Sequence, residues 1–164
     1  MQLPLYIVLF LFGVAIAQSI YFYPLMPDIV GSHFNAAGKV NGTSSKLGYF
    51  IAYFVSLAVT SSFSLVLPLL LKSLPTSVIN LPHREYWLSG DQREASLQFL
   101  KMHFSWFGVA TMLLMVAVFH ITFLANLSPS IKLDSLLFWF LLGAYLLFTI
   151  WWTVVLLIRF PKPS

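Results

Sequence analysis

Residues 104–124 read FSWFGVATMLLMVAVFHITFL, a run of 21 residues without Asp, Glu, Lys or Arg. A membrane-spanning helix needs about 20 consecutive apolar residues, and a backbone inside lipid must satisfy its own hydrogen bonds. Three other runs of this character lie at about 5–23, 47–71 and 136–158. The sequence therefore predicts an all-α, polytopic membrane protein, with four transmembrane helices forming one domain over residues 1–164.

The overall composition agrees with this prediction. Of the 164 residues, 59% are hydrophobic and 9% are charged, whereas a soluble domain is about 45–50% apolar and roughly 25% charged. So few charges cannot cover a water-exposed surface, which argues against a soluble enzyme. The 17% of aromatic residues argues against a disordered chain. The chain has no cysteine, which excludes disulfides and thiolate metal sites.

The first apolar run has a second interpretation. Residues 5–16 and the triplet Ala15-Ile16-Ala17 resemble the core and the cleavage site of a secretory signal peptide. The basic residues that precede such a core are missing, because the first Lys or Arg is Lys39. We therefore interpret residues 5–23 as a transmembrane helix.

Basic residues are divided unequally between the two sides of a four-span topology. One side holds three of them and the other holds six: Lys72, Arg84, Arg93, Lys101, Arg159 and Lys162. Cytoplasmic loops carry the excess of Lys and Arg. The sequence therefore predicts that residues 72–103 and both termini are cytoplasmic.

The polar stretch after the first run is predicted to be an ordered loop. Ile29, Val30 and Phe34 alternate with polar residues over the length of a strand. Asn41-Gly42 is a typical tight-turn pair, and Gly38 can supply a second turn. We expect a short extended segment or a hairpin on the bilayer surface.

This loop carries the pattern Pro27-x-x-Val30-x-Ser32-His33-Phe34-Asn35-x-x-Gly38-x-x-Asn41-Gly42-x-x-Ser45-Lys46. The pattern resembles the signature of a bacterial membrane domain of unknown function, which also occurs at the N-terminus of SdpI-type toxin-immunity and signalling proteins. Residues 80–88 and 120–127 extend the resemblance over most of the chain. The resemblance implies a bacterial inner (cytoplasmic) membrane protein.

The second long loop predicts a different local structure. Ser89-x-x-Gln92 is a capping-box pattern, and no Pro or Gly falls between Asp91 and Phe107. A helix should begin near residues 90–91 and run into the third span as a short cytoplasmic extension. Four residues of this loop are candidate contacts on the cytoplasmic side: Asn80, Pro82, Tyr86 and Trp87.

Polar residues near the outer ends of the spans form the main candidate site. His120 lies close to the end of an apolar span, and ionisable groups at such depth usually face protein or water. The predicted outer-face cluster, in which Gly38 lets the loop fold back, comprises Asp28, His33, Asn35, Gly38, His120 and Asn126. It is either a structural cap that fixes the loop onto the helix ends or a site for a small ligand or peptide.

The second span contains Thr60, Ser61, Ser62 and Ser64, followed by Pro68. Hydroxyls in membrane helices usually bond to their own helix or to a neighbour, and Pro68 should kink this helix. The alternative interpretation of these hydroxyls is a polar translocation path.

The sequence predicts neither catalytic residues, nor a metal site, nor a cofactor. The four histidines fall on opposite sides of the predicted topology, and Ser32-His33 lacks the context of a serine nucleophile. We expect no nucleic-acid binding.

The preferred hypothesis is a non-enzymatic binding or accessory protein in the lipid bilayer that contacts a membrane-protein partner or a larger membrane complex. The alternatives are an SdpI-like immunity or signalling module that senses an extracytoplasmic peptide, and a small transporter or membrane enzyme.

Overall fold

A computed structural model describes residues 2–163 of the chain. The elements follow in this order: α1 (Gln2–Phe22), β1 (Ile29–Phe34), β2 (Val40–Ser45), α2 (Lys46–Leu65), α3 (Leu67–Leu70), a 3-10 turn (Thr76–Val78), α4 (Arg84–Trp87), α5 (Gln92–Leu127) and α6 (Ser135–Arg159). Within the described residues, four helices are long and apolar enough to cross a membrane: Gln2–Phe22, Lys46–Leu70, Gln92–Leu127 and Ser135–Arg159. The prediction of a helical, multi-pass membrane protein is confirmed.

The helices α1, α2 and α5 form the core of the bundle, and α6 lies outside it. Buried side chains from these three helices pack together, among them Val8, Tyr53, Leu57 and Met112. The fourth helix packs against α5, and none of its own residues, all of which are described, is buried. The polypeptide is thus a three-helix core with one peripheral helix.

Helix α5 runs through the whole assembly. Its 36 residues correspond to about 54 Å at 1.5 Å per residue, whereas the hydrocarbon core of a bilayer is about 30 Å thick. The helix therefore extends past the apolar region. One end of the bundle carries β1 and β2 and is called the hairpin end; the other carries residues 71–91 and 160–163 and is called the tail end.

The kink expected at Pro68 separates α2 from α3. Proline has no N–H to donate to the carbonyl of Ser64, and the Ser105 hydroxyl of α5 contacts that oxygen at 3.2 Å. In return, the Ser64 hydroxyl donates to the carbonyl of Ser105 at 2.6 Å. The Ser105 hydroxyl also lies 2.9 Å from Lys101 O in its own helix, so α5 offers a shared donor to the carbonyl that the proline leaves free.

The other hydroxyls of this cluster bond within α2. Thr60 donates to Ser56 O, and Ser62 donates to Val59 O. Ser61 donates to the carbonyl of Ala58 at 3.0 Å. The prediction that these hydroxyls bond to their own helix or to a neighbour is confirmed.

The predicted capping box at the start of α5 is wrong. The cap residue is Asp91, and its side chain makes no capping hydrogen bond. The Ser89 hydroxyl instead donates to Tyr86 O at 3.1 Å, at the end of α4. Gly90 adopts a φ of +50°, and this left-handed turn separates Ser89 from the helix that it was expected to cap.

The contact between α2 and α5 generates a prediction at Gly108. A Cβ at this position would lie 2.4 Å from Ser64 Oγ and 2.6 Å from Ser64 N, so Gly108→Ala must push the two helices apart. We expect a loss of about 1–3 kcal/mol in the free energy of unfolding, the usual cost of overpacking, measured by denaturant titration in detergent micelles.

Gly143→Ala is the matched control, because a Cβ there meets nothing within 4 Å. It should be neutral or slightly stabilising, since Ala favours a helix over Gly. Equal stability of the two variants would contradict the close approach of α2 and α5.

Candidate functional site

The polar loop after α1 folds into a two-stranded antiparallel hairpin. Ile29 pairs with Ser45, and Phe34 pairs with Val40. The turn is closed by the Asn35 side chain, whose Oδ1 accepts hydrogen bonds from the backbone of Ala37 and Lys39 at 3.0 Å each. The hairpin therefore turns at residues 35–39.

The turn predicted at Asn41-Gly42 is wrong. Both residues lie within β2, and Gly42 pairs with His33 beside an irregularity in the register. The physical reason is that Asn35 and Gly38, with a φ of +78°, complete the turn earlier in the chain. Of the two turn positions that the sequence suggested, the hairpin uses the one at Gly38 and not the one at Asn41-Gly42.

Asn126 fixes β1 to the end of α5. Its Oδ1 accepts a hydrogen bond from Gly31 N at 2.7 Å, and its Nδ2 donates to Gly31 O at 2.9 Å. In an antiparallel sheet, a residue makes the same two hydrogen bonds, through its N–H and its C=O, to the opposite residue of the next strand. The buried amide of Asn126 therefore takes the place of a neighbouring strand at Gly31. A Cβ on Gly31 would lie 2.8 Å from Val40 Cγ2 and 3.4 Å from Asn126 Oδ1, so this position accepts glycine best.

The same amide is itself held in place from inside the bundle. Asn126 Nδ2 also donates to Thr122 O at 2.9 Å, one turn earlier in α5. The hydroxyl of Thr122 bonds to the hydroxyl of Tyr49 in α2. This series of contacts links the hairpin to the packing of α2 on α5.

The tip of the hairpin is attached to the loop between α5 and α6. Leu133 N donates to Gly38 O at 2.9 Å, and Lys39 forms a backbone bridge with Lys132. A Cβ on Gly38 would lie 2.3 Å from Leu133 O, so this close approach requires glycine.

The base of the hairpin has a third attachment. Lys46 Nζ lies 3.3 Å from the Asp28 carboxylate and donates to Met26 O at 3.1 Å. The backbone N–H of Lys46 donates to Asp28 O at 2.8 Å. Since this hairpin is tied at its base, its middle and its tip, it is a fixed part of the bundle end.

A cleft of about 300 Å³ lies between the hairpin, α5 and α6. His33, Asn35 and Trp139 are exposed at this cleft, and the indole of Trp139 donates to Ala36 O at 3.4 Å. The buried hydroxyl oxygen of Ser135 also lines the cleft and has no hydrogen-bond partner among the described residues. The cleft thus combines an aromatic wall with polar groups that can bind a ligand or a peptide segment.

His120 does not reach this cleft. Its Nδ1 lies 3.2 Å from Gln18 Nε2, and the Gln18 carbonyl oxygen accepts a hydrogen bond from the Tyr53 hydroxyl at 2.6 Å. His120 therefore joins α5 to α1 and α2 inside the bundle. Sequence reasoning did not single out Gln18 or Tyr53, although the amide of Gln18 in an otherwise apolar run was a signal that could have found it.

The six residues of the predicted outer-face cluster thus occupy different places. Asn126, Gly38 and Asp28 hold the hairpin, Asn35 shapes its turn, His33 is exposed at the cleft, and His120 bonds within the bundle. In the described part of the chain they do not form a single hydrogen-bonded network. Among residues 2–163, no three His, Asp or Glu side chains are grouped as a metal site would require.

At the tail end, Trp87 attaches the 71–91 loop to the C-terminal segment. Its indole N–H donates to Pro161 O at 3.0 Å, and the Arg159 guanidinium lies 5.7 Å from the centre of its ring. Leu71, Leu88 and Phe160 are buried beside it. The other three candidate contact residues of this loop are exposed or half-exposed: Asn80, Pro82 and Tyr86.

Residues 9–57 match the family described as "Domain of unknown function (DUF1648)". The matched segment covers most of α1, the whole hairpin and the first half of α2. Comparison with curated proteins and with solved structures gave no match. The similarity is therefore to a domain without an assigned activity, and it includes the hairpin.

The attachment of β1 to α5 generates a prediction at Asn126. Asn126→Leu leaves the buried N–H and C=O of Gly31 without partners, and each such group costs about 1–3 kcal/mol. We expect a loss of about 2–4 kcal/mol in the free energy of unfolding and faster amide hydrogen exchange over residues 29–45.

Asn41→Leu is the control, because Asn41 is exposed on the same hairpin. It should leave exchange over residues 29–34 unchanged. Unaltered exchange in Asn126→Leu would show that the amide does not hold the strand.

Proposed function

We propose that this chain is a non-enzymatic binding or accessory protein of a membrane, and that it contacts a membrane-protein partner at the cleft beside the hairpin. One observation carries the proposal: a hairpin tied at its base, middle and tip stands beside an open cleft of about 300 Å³. Fixed polar groups with an aromatic wall are typical of recognition sites.

The use of polar residues inside the bundle supports binding rather than transport. Ser61 and Ser64 are buried, and their hydroxyls bond to backbone carbonyls. Hydroxyls used in helix packing are not free to conduct a substrate. A small transporter or membrane enzyme therefore finds no support in this cluster, which was the feature that suggested it.

The proposed setting is a bacterial inner membrane. The resemblance of the hairpin sequence supports this location, and the six basic residues of the tail end, against three at the hairpin end, support a cytoplasmic tail end with both termini. In this orientation the cleft would face the extracytoplasmic side. No cofactor is part of the proposal.

A photo-reactive amino acid introduced at position 33 tests the proposed contact. In native membranes we expect a discrete adduct with one protein, identified by mass spectrometry. Trp139→Ala should lower its yield at least about tenfold, because central aromatic anchors of an interface contribute ~2 kcal/mol or more.

Two controls distinguish a specific contact at the cleft from non-specific cross-linking to other membrane proteins. Trp151→Ala removes another exposed tryptophan of α6 that does not line the cleft, and it should leave the yield unchanged. The same label at the exposed Asn41, which lies outside the cleft, should give little adduct. Adducts with lipid alone, or equal yields from positions 33 and 41, would refute the proposal.

A second candidate function is an SdpI-like immunity or signalling module that senses an extracytoplasmic peptide. The resemblance of the hairpin sequence to SdpI-type proteins supports it. The segment that matches a domain of unknown function, residues 9–57, contains His33 and the whole hairpin. The exposed His33 at the cleft would then contact the peptide.

This candidate predicts a phenotype for His33. Cells that depend on the chain to survive a peptide toxin should lose protection with His33→Ala, because the change removes a hydrogen-bonding group from the cleft without disturbing the hairpin ties. Survival under toxin challenge is the measurement, with Asn41→Ala as the control at an exposed position of β2. Full protection by His33→Ala would exclude His33 as the sensing residue.

A further inference from the structure

Two lysines lie directly opposite each other where the hairpin tip meets the α5–α6 loop. Lys39 and Lys132 form an antiparallel backbone bridge. Residues directly opposite in such a bridge point to the same side, with Cβ atoms about 4.5–5.5 Å apart. Like charges in this arrangement repel each other, so the pair is unfavourable in the absence of an anion.

Neither lysine is neutralised by a carboxylate of the described residues. Within residues 2–163, neither forms a salt bridge with a carboxylate. Both acids at this end have other contacts: Asp28 pairs with Lys46, and Asp134 caps α6 by accepting a hydrogen bond from Leu137 N at 3.0 Å. Both lysine side chains are exposed.

The lysines border a cleft that is separate from the one at His33. Its volume is about 570 Å³, and its lining includes Thr43 and Ser130 as well as the two lysines. Lysine commonly binds phosphate, and it does so as a point charge. Serine and threonine hydroxyls can donate further hydrogen bonds to the same group. The cleft therefore suits a singly or doubly charged phosphate group.

The surroundings of the pair indicate the source of the phosphate. The bridge lies between the end of α5 at Leu127 and the start of α6 at Ser135, and apolar side chains are exposed on both sides of it. Leu136 is 83% exposed, and Ile131 of the same loop also faces outward. Cations among exposed apolar side chains are typical of the boundary between lipid headgroups and acyl chains.

We propose that Lys39 and Lys132 bind the phosphodiester of an anionic phospholipid at the hairpin end. The headgroup lies between the two ammonium groups, and its acyl chains run along the exposed apolar surface next to Leu136. This site is independent of the proposed partner contact, because neither lysine lines the cleft of His33 and Trp139.

Lipid titration of the full chain in detergent, read by native mass spectrometry, tests the site. Wild type should bind phosphatidylglycerol more tightly than phosphatidylcholine. A variant that combines Lys39→Gln and Lys132→Gln should lose about fivefold in phosphatidylglycerol affinity for each lysine, or about 25-fold in all, because a lysine near an anionic lipid surface contributes ~1 kcal/mol. Its affinity for phosphatidylcholine should not change.

Two control variants define the specificity. A variant that combines Lys39→Arg and Lys132→Arg keeps both charges and should keep the preference for phosphatidylglycerol. Lys162→Gln removes one charge at the tail end and should have no effect. Retention of the full preference by the double glutamine variant would overturn the proposal.

Two further outcomes bear on the assignment. Inorganic phosphate that displaces phosphatidylglycerol at equal concentration would overturn the lipid as the ligand, since the acyl chains would then add nothing. The double glutamine variant should unfold in phosphatidylcholine at the same temperature as wild type or higher, because like-charge repulsion is relieved. A lower unfolding temperature would show that the lysines support the fold and would also overturn the proposal.

Discussion

The bond pair between the Asn126 amide and Gly31 is the interaction on which the hairpin end depends. A strand that packs against helix ends at a membrane surface must satisfy its backbone groups without bulk water. Asn126 does so from a helix, because one carboxamide can accept from the N–H and donate to the C=O of the same residue. The Asn126 amide can come this close to the backbone of residue 31 because glycine has no side chain there.

Helix α5 is the element through which the parts of the bundle are coupled. Near its C-terminal end it holds β1 through Asn126, less than two turns earlier it contacts Gln18 through His120, and nearer its middle it contacts the Pro68 kink through Ser105. Each contact satisfies a polar group on a different partner element. A change in the tilt of α5 would therefore disturb all of these contacts together. The peripheral α6 has its own polar ties to α5. The Trp152 indole donates to His103 O at 3.1 Å, and the hydroxyls of Tyr145 and Thr111 lie 2.7 Å apart.

The sequence was sufficient to predict the four spans, because the length of an apolar run and the absence of charge decide whether it can cross a membrane. It also predicted the hydroxyls of α2, which bond to backbone carbonyls as hydroxyls in membrane helices usually do. It was insufficient for the partners of individual polar residues. His120 was grouped with His33 because both were expected near one membrane surface, yet it bonds to Gln18, which is 102 positions away in the chain. The hairpin turn was misplaced because Asn-Gly pairs favour turns in general, whereas here an Asn35 side chain and a positive φ at Gly38 compete successfully. Side-chain contacts across the bundle have no periodicity that a sequence pattern could reveal.

The distribution of satisfied and free polar groups separates scaffold from surface. Inside the bundle, the hydroxyls of α2 and the amides of Gln18 and Asn126 are bonded, and this fixes the helices relative to one another. At the hairpin end, His33 is exposed, and the exposed Lys39 and Lys132 carry charges that no described carboxylate neutralises. A free polar group is costly only where water and lipid headgroups are excluded, so these groups are tolerated at the membrane surface. Towards the tail end, Ser96 Oγ and His103 Nε2 also have no partner among residues 2–163, but both atoms are buried. The exposed groups of the hairpin end can gain hydrogen bonds or ion pairs from a ligand without a rearrangement of the helices, and this favours recognition at the hairpin end.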